Sequence, residues 1–136
     1  MGDLTHNLAP KKAWVVFYDQ ADWLPLRFLR PKFRHCMVVL NDGASWIFFD
    51  PLLNKTEIFT YPVTEDNNPP AWYEKEGHTV VPALILEAPY KPAPLALLTC
   101  VEQVKRVLGI RARMVITPYQ LYKHLRKLEN ESTQGS

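Results

Sequence analysis

The chain has 136 residues, 47% of them hydrophobic and 22% charged, with a formal net charge of +2; that is enough for one domain burying about two thirds of its unfolded surface, and is a globular balance, not a disordered one. No apolar run approaches the roughly 20 residues that cross a bilayer, and residues 1–12 are polar, without the hydrophobic segment of a secretory signal. Two cysteines without such a signal argue for a reducing, cytoplasmic setting over a disulfide scaffold.

Residues 1–12 read as a flexible N-terminal arm and residues 13–128 as a single α+β domain, with no internal repeat. AWVVFY at 13–18 is an apolar, aromatic run, the pattern of a buried strand. Residues 19–32 form a connection rich in Trp, Leu and Arg. RHCMVVL at 34–40 and SWIFFD at 45–50 are two strands joined through Asn41-Asp42-Gly43-Ala44, a strong hairpin signal because Asp-Gly accepts positive φ. KTEIFTY at 55–61 is a third strand of this group, closed by Pro62. Residues 64–70 make a polar surface loop, and 71–76 a helical turn stopped by Gly77. Residues 79–87 are β-branched and apolar with Pro82 inside, which suits an edge strand or a bulge. The proline-marked stretch 88–94 is a stiff linker.

A short capped helix follows. Thr99 and Glu102 form a capping box, Val101, Val104, Val107 and Leu108 recur at helical spacing, and Gly109 stands where a left-handed cap belongs. Residues 111–116 read as a last strand. Thr117-Pro118-Tyr119-Gln120 is a second capping box, opening a helix to about Leu128 whose buried side is Leu121, Tyr122, Leu125 and Leu128. Residues 129–136 read as a flexible C-terminal tail.

Two features carry chemistry. With Thr99 as the N-cap, Cys100 is the first helical residue, beside free N–H groups and the positive end of the helix dipole, where a thiolate is stabilised. In the hairpin, a two-residue Asp42-Gly43 loop or a four-residue Asn41–Ala44 loop gives the same pairing: Leu40 opposite Ser45 and, outward from there, Cys36 opposite Phe49 and His35 opposite Asp50. Directly opposed residues share a face about 5 Å apart, so the carboxylate would orient the imidazole and stabilise its protonated form. Cys36 points to the other face and reads as a core residue. A cysteine helix lying on the hairpin face of Met37, Val39, Trp46 and Phe48 would bring Cys100 to His35.

These stretches, residues 33–39 (FRHCMVV), 46–51 (WIFFDP) and 98–102 (LTCVE), together resemble the circularly permuted papain-like hydrolases. These are the NlpC-type superfamily that includes the lecithin:retinol acyltransferase-like enzymes. The resemblance is one of order: His on a strand, an acid on the next, Cys at a helix start much further on. It spans residues 33 to about 108. It implies a small antiparallel sheet packed against the cysteine helix, with Cys100 as nucleophile, His35 as general base then acid, and Asp50 as the orienting third member. The implied activity is that of a cysteine hydrolase or acyltransferase, with a peptide or cell-wall peptide as substrate and no cofactor. The backbone N–H of Cys100 would stabilise the oxyanion, and Tyr18 and Gln20 are further oxyanion candidates at the end of the first strand.

Other readings compete. Trp23 and Trp72 lie in connections and are candidates to line a substrate groove. The late positive residues Lys105, Arg106, Arg111, Arg113, Lys123, Arg126 and Lys127 read as solvated helix faces, with a nucleic-acid surface as the lesser alternative. A catalytically silent phage or bacterial accessory protein on the same scaffold is the main rival to the enzyme. His78 reads as an exposed loop residue and His124 as lying on a solvated helix side. Zinc on His35, Cys36 and Cys100 would lack a fourth ligand, and adjacent strand residues diverge, so no metal site is expected.

Overall fold

The apolar runs at 13–18 and 36–40 do not alternate, and unalternating strands belong in the middle of a sheet covered on both faces. In the computed structural model, which describes residues 12–19, 30–52, 55–85 and 99–134, they are the central strands. The strands are β1 (Lys12–Tyr18), β2 (His35–Asn41), β3 (Ser45–Pro51), β4 (Thr56–Pro62) and β5 (Thr79–Ala83); the helices are α1 (Pro69–Lys75), α2 (Cys100–Leu108) and α3 (Pro118–Gln134). All strand pairs are antiparallel, in the order β4-β3-β2-β1-β5. The protein is thus α+β, a five-stranded antiparallel sheet with three helices among the described residues.

Side-chain alternation splits the core in two. On one face Val15, Phe17, Cys36, Val38 and Leu40 are sealed by Val101, Val104 and Leu108 of α2 and by Leu121 and Leu125 of α3. On the other, Val16, Met37, Val39, Trp46 and Phe48 pack with Trp14, Tyr18 and, from α1, Tyr73. The cysteine helix therefore lies on the Cys36–Val38–Leu40 face, opposite to the face expected for it. The apolar stripe of α2 finds its match there because β2 buries side chains in both directions.

The hairpin register also differs from expectation. Val38 pairs with Phe49, Val39 with Phe48, Leu40 with Ile47 and Asn41 with Trp46, two residues out from the pairing that sets Leu40 opposite Ser45. The cause is local. Asp42 Oδ1 accepts the N–H groups of Ala44 and Ser45, Asn41 Oδ1 accepts that of Gly43, and Asp42 N–H closes onto Ser45 O. The turn is thereby moved one residue along, with Gly43 at φ 94° as its first free residue. A shift of two keeps every side chain on its face.

Residues 111–116 are not a strand. Both outer strands of the sheet are already β4 and β5, and the segment instead turns through a Val115 N–H to Ala112 O bond, leaving Met114 81% exposed. Nor is the stretch after Leu128 a loose tail: α3 runs on to Gln134. Arg126 pairs with Glu129, Ser132 and Thr133 bond back to Glu129 O, and the first helix-breaking residue is Gly135. The Thr117–Gln120 box is complete, each side chain taking the other's N–H. That at Thr99 is half made: Thr99 Oγ1 accepts Glu102 N–H, while the Glu102 carboxylate turns to Lys105. Lys105, expected on a solvated face, is 4% exposed and ties α2 to Val115 O. No helix among the described residues is long and apolar enough to cross a membrane. Of the expected arm at 1–12 only Lys12, which opens β1, is described; the expected linker at 88–94, Gln20 and Trp23 lie outside the described residues.

Candidate active site

The site forms where β1 ends and β2 begins. Tyr18, the last residue of β1, pairs in register with His35, the first of β2. This corner is clamped by Arg34 N–H to Tyr18 O and by the Arg34–Asp19 ion pair at 2.8 Å. Asp19 Oδ1 also accepts the N–H of Lys32, which holds that residue at a left-handed φ of 71°.

His35 Nε2 meets Asp50 Oδ1 at 2.6 Å. The two residues share a face, but extending the observed register sets Met37 opposite Asp50, so His35 reaches Asp50 along the diagonal. Both side chains are mostly buried, 16% and 21% exposed. With Nε2 engaged, Nδ1 is the ring nitrogen left for another partner.

Cys100 acts on the same ring. Thr99 caps α2 from an extended backbone, and Gly109 ends it with a left-handed φ of 74°. The thiol at the first helical position is half-buried against Cys36 and His35. A hydrogen bond from the Cys36 thiol acts on it most strongly; burial opposes, and the hydrogen bond and charge of His35 add to the first effect, bringing Cys100 from 9.0 down to about 5. His35 moves the other way. Burial disfavours its charge, but the hydrogen bond to Asp50, then the interaction with Cys100, outweigh that and raise it from 6.5 to about 9. Between these two values the pair is a thiolate beside an imidazolium. Cys36, fully buried, is pushed well above its ordinary value by burial and by the neighbouring sulfur, so it stays a thiol and a donor.

Of the expected site residues, the fold thus brings together Cys100, His35 and Asp50. Cys36 is core, as expected, but it also touches the reactive sulfur. Sequence put Cys36 on the face opposite His35 but not α2 on that face, so the contact was missed. Tyr18 is placed beside His35, with ring centroids 6.0 Å apart, but its hydroxyl donates to Met37 Sδ at 2.9 Å. It lies on the sheet face away from α2, with its hydroxyl turned to Met37. Burial first, then a hydrogen bond with Tyr73, raise its pKa and keep it protonated. His78, expected in an exposed loop, packs edge-on to Tyr18 at 4.4 Å. Trp72 lies on α1, lining an aromatic cleft on the face of the sheet opposite α2. No group of three or more metal-ligating side chains clusters among the described residues. In comparisons with known proteins, the chain matches no family model, no curated protein and no solved structure.

Proposed function

We propose that the protein is a cysteine hydrolase or acyltransferase of the permuted papain-like kind, acting on amide or ester carbonyls through a thioester on Cys100. The observation that carries this reading is the His35 ring, its Nε2 held by Asp50 at 2.6 Å, beside a half-buried thiol at the first position of α2; the opposite displacements of Cys100 and His35 agree with it. A core cysteine gains nothing from an imidazolium neighbour; a nucleophile does.

The Cys100 thiolate attacks the carbonyl carbon, forming the C–S bond and moving the carbonyl π electrons onto oxygen. The backbone N–H of Cys100, at the open start of α2, faces that oxyanion, a donor worth about 3 kcal/mol in comparable sites. The His35 imidazolium gives its proton to the departing amine or alkoxide as the C–N or C–O bond breaks, leaving the thioester. The neutral ring then takes a proton from water or an acyl acceptor, which attacks the thioester and returns the thiolate. Asp50 holds the ring's tautomer and offsets its charge throughout. Among carbonyl substrates, a peptide amide is the first choice.

The test is mixing with p-nitrophenyl acetate near pH 7. Acetylation confined to Cys100, seen by peptide mass mapping and lost in Cys100→Ala and His35→Ala, is the expected result. Slow labelling shared equally between Cys36 and Cys100 would overturn the proposal.

A further inference from the structure

The other face of the sheet carries a second feature that the thiol chemistry does not use. A cleft of about 690 Å³ is walled on one side by Phe48, Phe59 and Tyr61 from the sheet and on the other by Trp72 and Tyr73 from α1, with Asp66 at its rim. Its aromatic walls are ordered: Phe48 stacks on Phe59 at 4.6 Å, Tyr61 meets both edge-on at 5.9 Å, and Trp72 meets Tyr73 edge-on at 5.0 Å. Tyr61 and Trp72 are nonetheless more than half exposed, at 57% and 56%. Asp66 is exposed and has no ion pair or hydrogen bond among the described residues. The cleft opens beside β4, an outermost strand of the sheet, whose Ile58 is 63% exposed on the opposite face.

We propose that this cleft and the outer edge of β4 together form a docking site for an extended peptide strand that presents a lysine or arginine side chain. A strand added to β4 would satisfy the backbone groups of its outer edge and send alternate side chains over Phe59 and Tyr61. The intervening side chains would lie beside Ile58. A cation delivered onto a wall of five aromatic rings with a carboxylate at the rim combines cation–π attraction with charge pairing. Charge selects this occupant. Residues 64–77 carry four carboxylates, Glu65, Asp66, Glu74 and Glu76, against the single Lys75, in a chain whose net charge is +2. A second copy of the chain paired edge to edge through β4 would bring two such acidic segments together, which like-charge repulsion opposes.

The test uses the full chain and three probes: the acetylated, amidated hexapeptide Thr-Val-Lys-Val-Thr-Val, its Glu-for-Lys counterpart, and an N-methylated lysine version that cannot complete a strand ladder. Calorimetry is expected to show saturable binding of the lysine peptide only, weakening as salt rises. The affinity should fall about tenfold in Trp72→Ala and in Asp66→Asn. Both positions are exposed, and far-UV dichroism verifies that each variant is folded. Alkylation of Cys100, followed in the same samples, should be unchanged in Asp66→Asn, so failure of the thiol reading and of this one are separately visible. Equal binding of the lysine and glutamate peptides, no binding to the unmodified chain, or retention of affinity in both variants would overturn the proposal. So would sedimentation showing β4-dependent dimers at the assay concentration.

Discussion

Replacing Asp50 by asparagine keeps the shape of the side chain and removes its charge. In the native site the His35 ring stays protonated up to about 9 where 6.5 is ordinary, a preference for imidazolium of roughly 3 kcal/mol. Burial alone works against that charge, so the anionic neighbours supply more than the net figure, Asp50 before Cys100. At 16% side-chain exposure, water screens the pair only modestly. Losing the carboxylate charge should therefore lower the His35 pKa by at least one pH unit, about 1.4 kcal/mol. The consequence is asymmetric. The acid limb of turnover, set by Cys100 near 5, should barely move, because His35 in the variant is still protonated at that pH. The alkaline limb, where imidazolium is lost, should slide down from about 9. At pH 8.5 turnover of p-nitrophenyl acetate should drop at least about threefold, and at pH 6 much less. NMR titration of the His35 ring protons gives the midpoint directly, alongside the pH profile of turnover. An alkaline limb and a ring midpoint that both stay near 9 in Asp50→Asn would refute the assignment of Asp50 as the group that holds the imidazolium.

Cys36→Ala removes the hydrogen bond that acts most strongly on Cys100, so the midpoint of iodoacetamide alkylation at Cys100 should rise from about 5, at a cost in stability of about 1 kcal/mol; an unmoved midpoint would contradict the contact. Thermal stability should follow the same pair. Cys100, lowered in the folded state, adds stability that is lost as pH falls toward 5, while His35, raised in the folded state, adds stability that is lost as pH climbs from 6.5 to 9. Scanning calorimetry should thus show a Tm that rises from pH 5 to 6.5 and then stays level to pH 9, where the two opposite trends offset. In Cys100→Ala only the His35 trend is left, so Tm should decline over that upper range, and a parallel pair of curves would reject the linkage. Lys105→Met strands Glu102, 17% exposed, and Val115 O; denaturation in urea should record a loss of about 3 kcal/mol, partly restored by adding Glu102→Gln. A loss below 1 kcal/mol would show that Lys105 is not a fastener of α2.

The sequence carried the elements better than their relations. Caps gave both ends of α2, because Thr99 and Gly109 each have one structural use there. The hairpin between residues 35 and 51 was legible from its apolar runs, but its register was not, since Asn41 and Asp42 can both bind the turn's N–H groups and the winner moves the pairing. Alternation protected the His35–Asp50 pairing from that error: a slip of two changes an opposite neighbour into a diagonal one and never changes the face. The side of the sheet taken by α2 was not legible, because β2 is apolar on both faces and either would accept a valine stripe. Residues 111–116 misled for a related reason: alternation of Ile110, Ala112, Met114 and Ile116 signals a strand only if a sheet edge is there to receive it.

The position of His35 explains how a thiol on one side of the sheet and a carboxylate on the other can share one ring. In mid-strand, two side chains on opposite faces are separated by the backbone ladder and cannot meet a common group. His35 is the first residue of β2, with Tyr18 ending β1 beside it, so the ladder stops there and its ring stands at the margin of both layers. From the Met37 face Asp50 reaches Nε2; from the Cys36 face the start of α2 presents Cys100. The arrangement depends on where the strand ends more than on which residues oppose each other. Lengthening the β1–β2 ladder past Tyr18 and His35, by changing Asp19 or Arg34 so that the clamp at this corner is lost, should therefore weaken the thiolate at Cys100 without altering any of the three reacting side chains. Alkylation of an Arg34→Ala variant reads this directly: a midpoint still near 5 would mean that the corner is not what holds the site open.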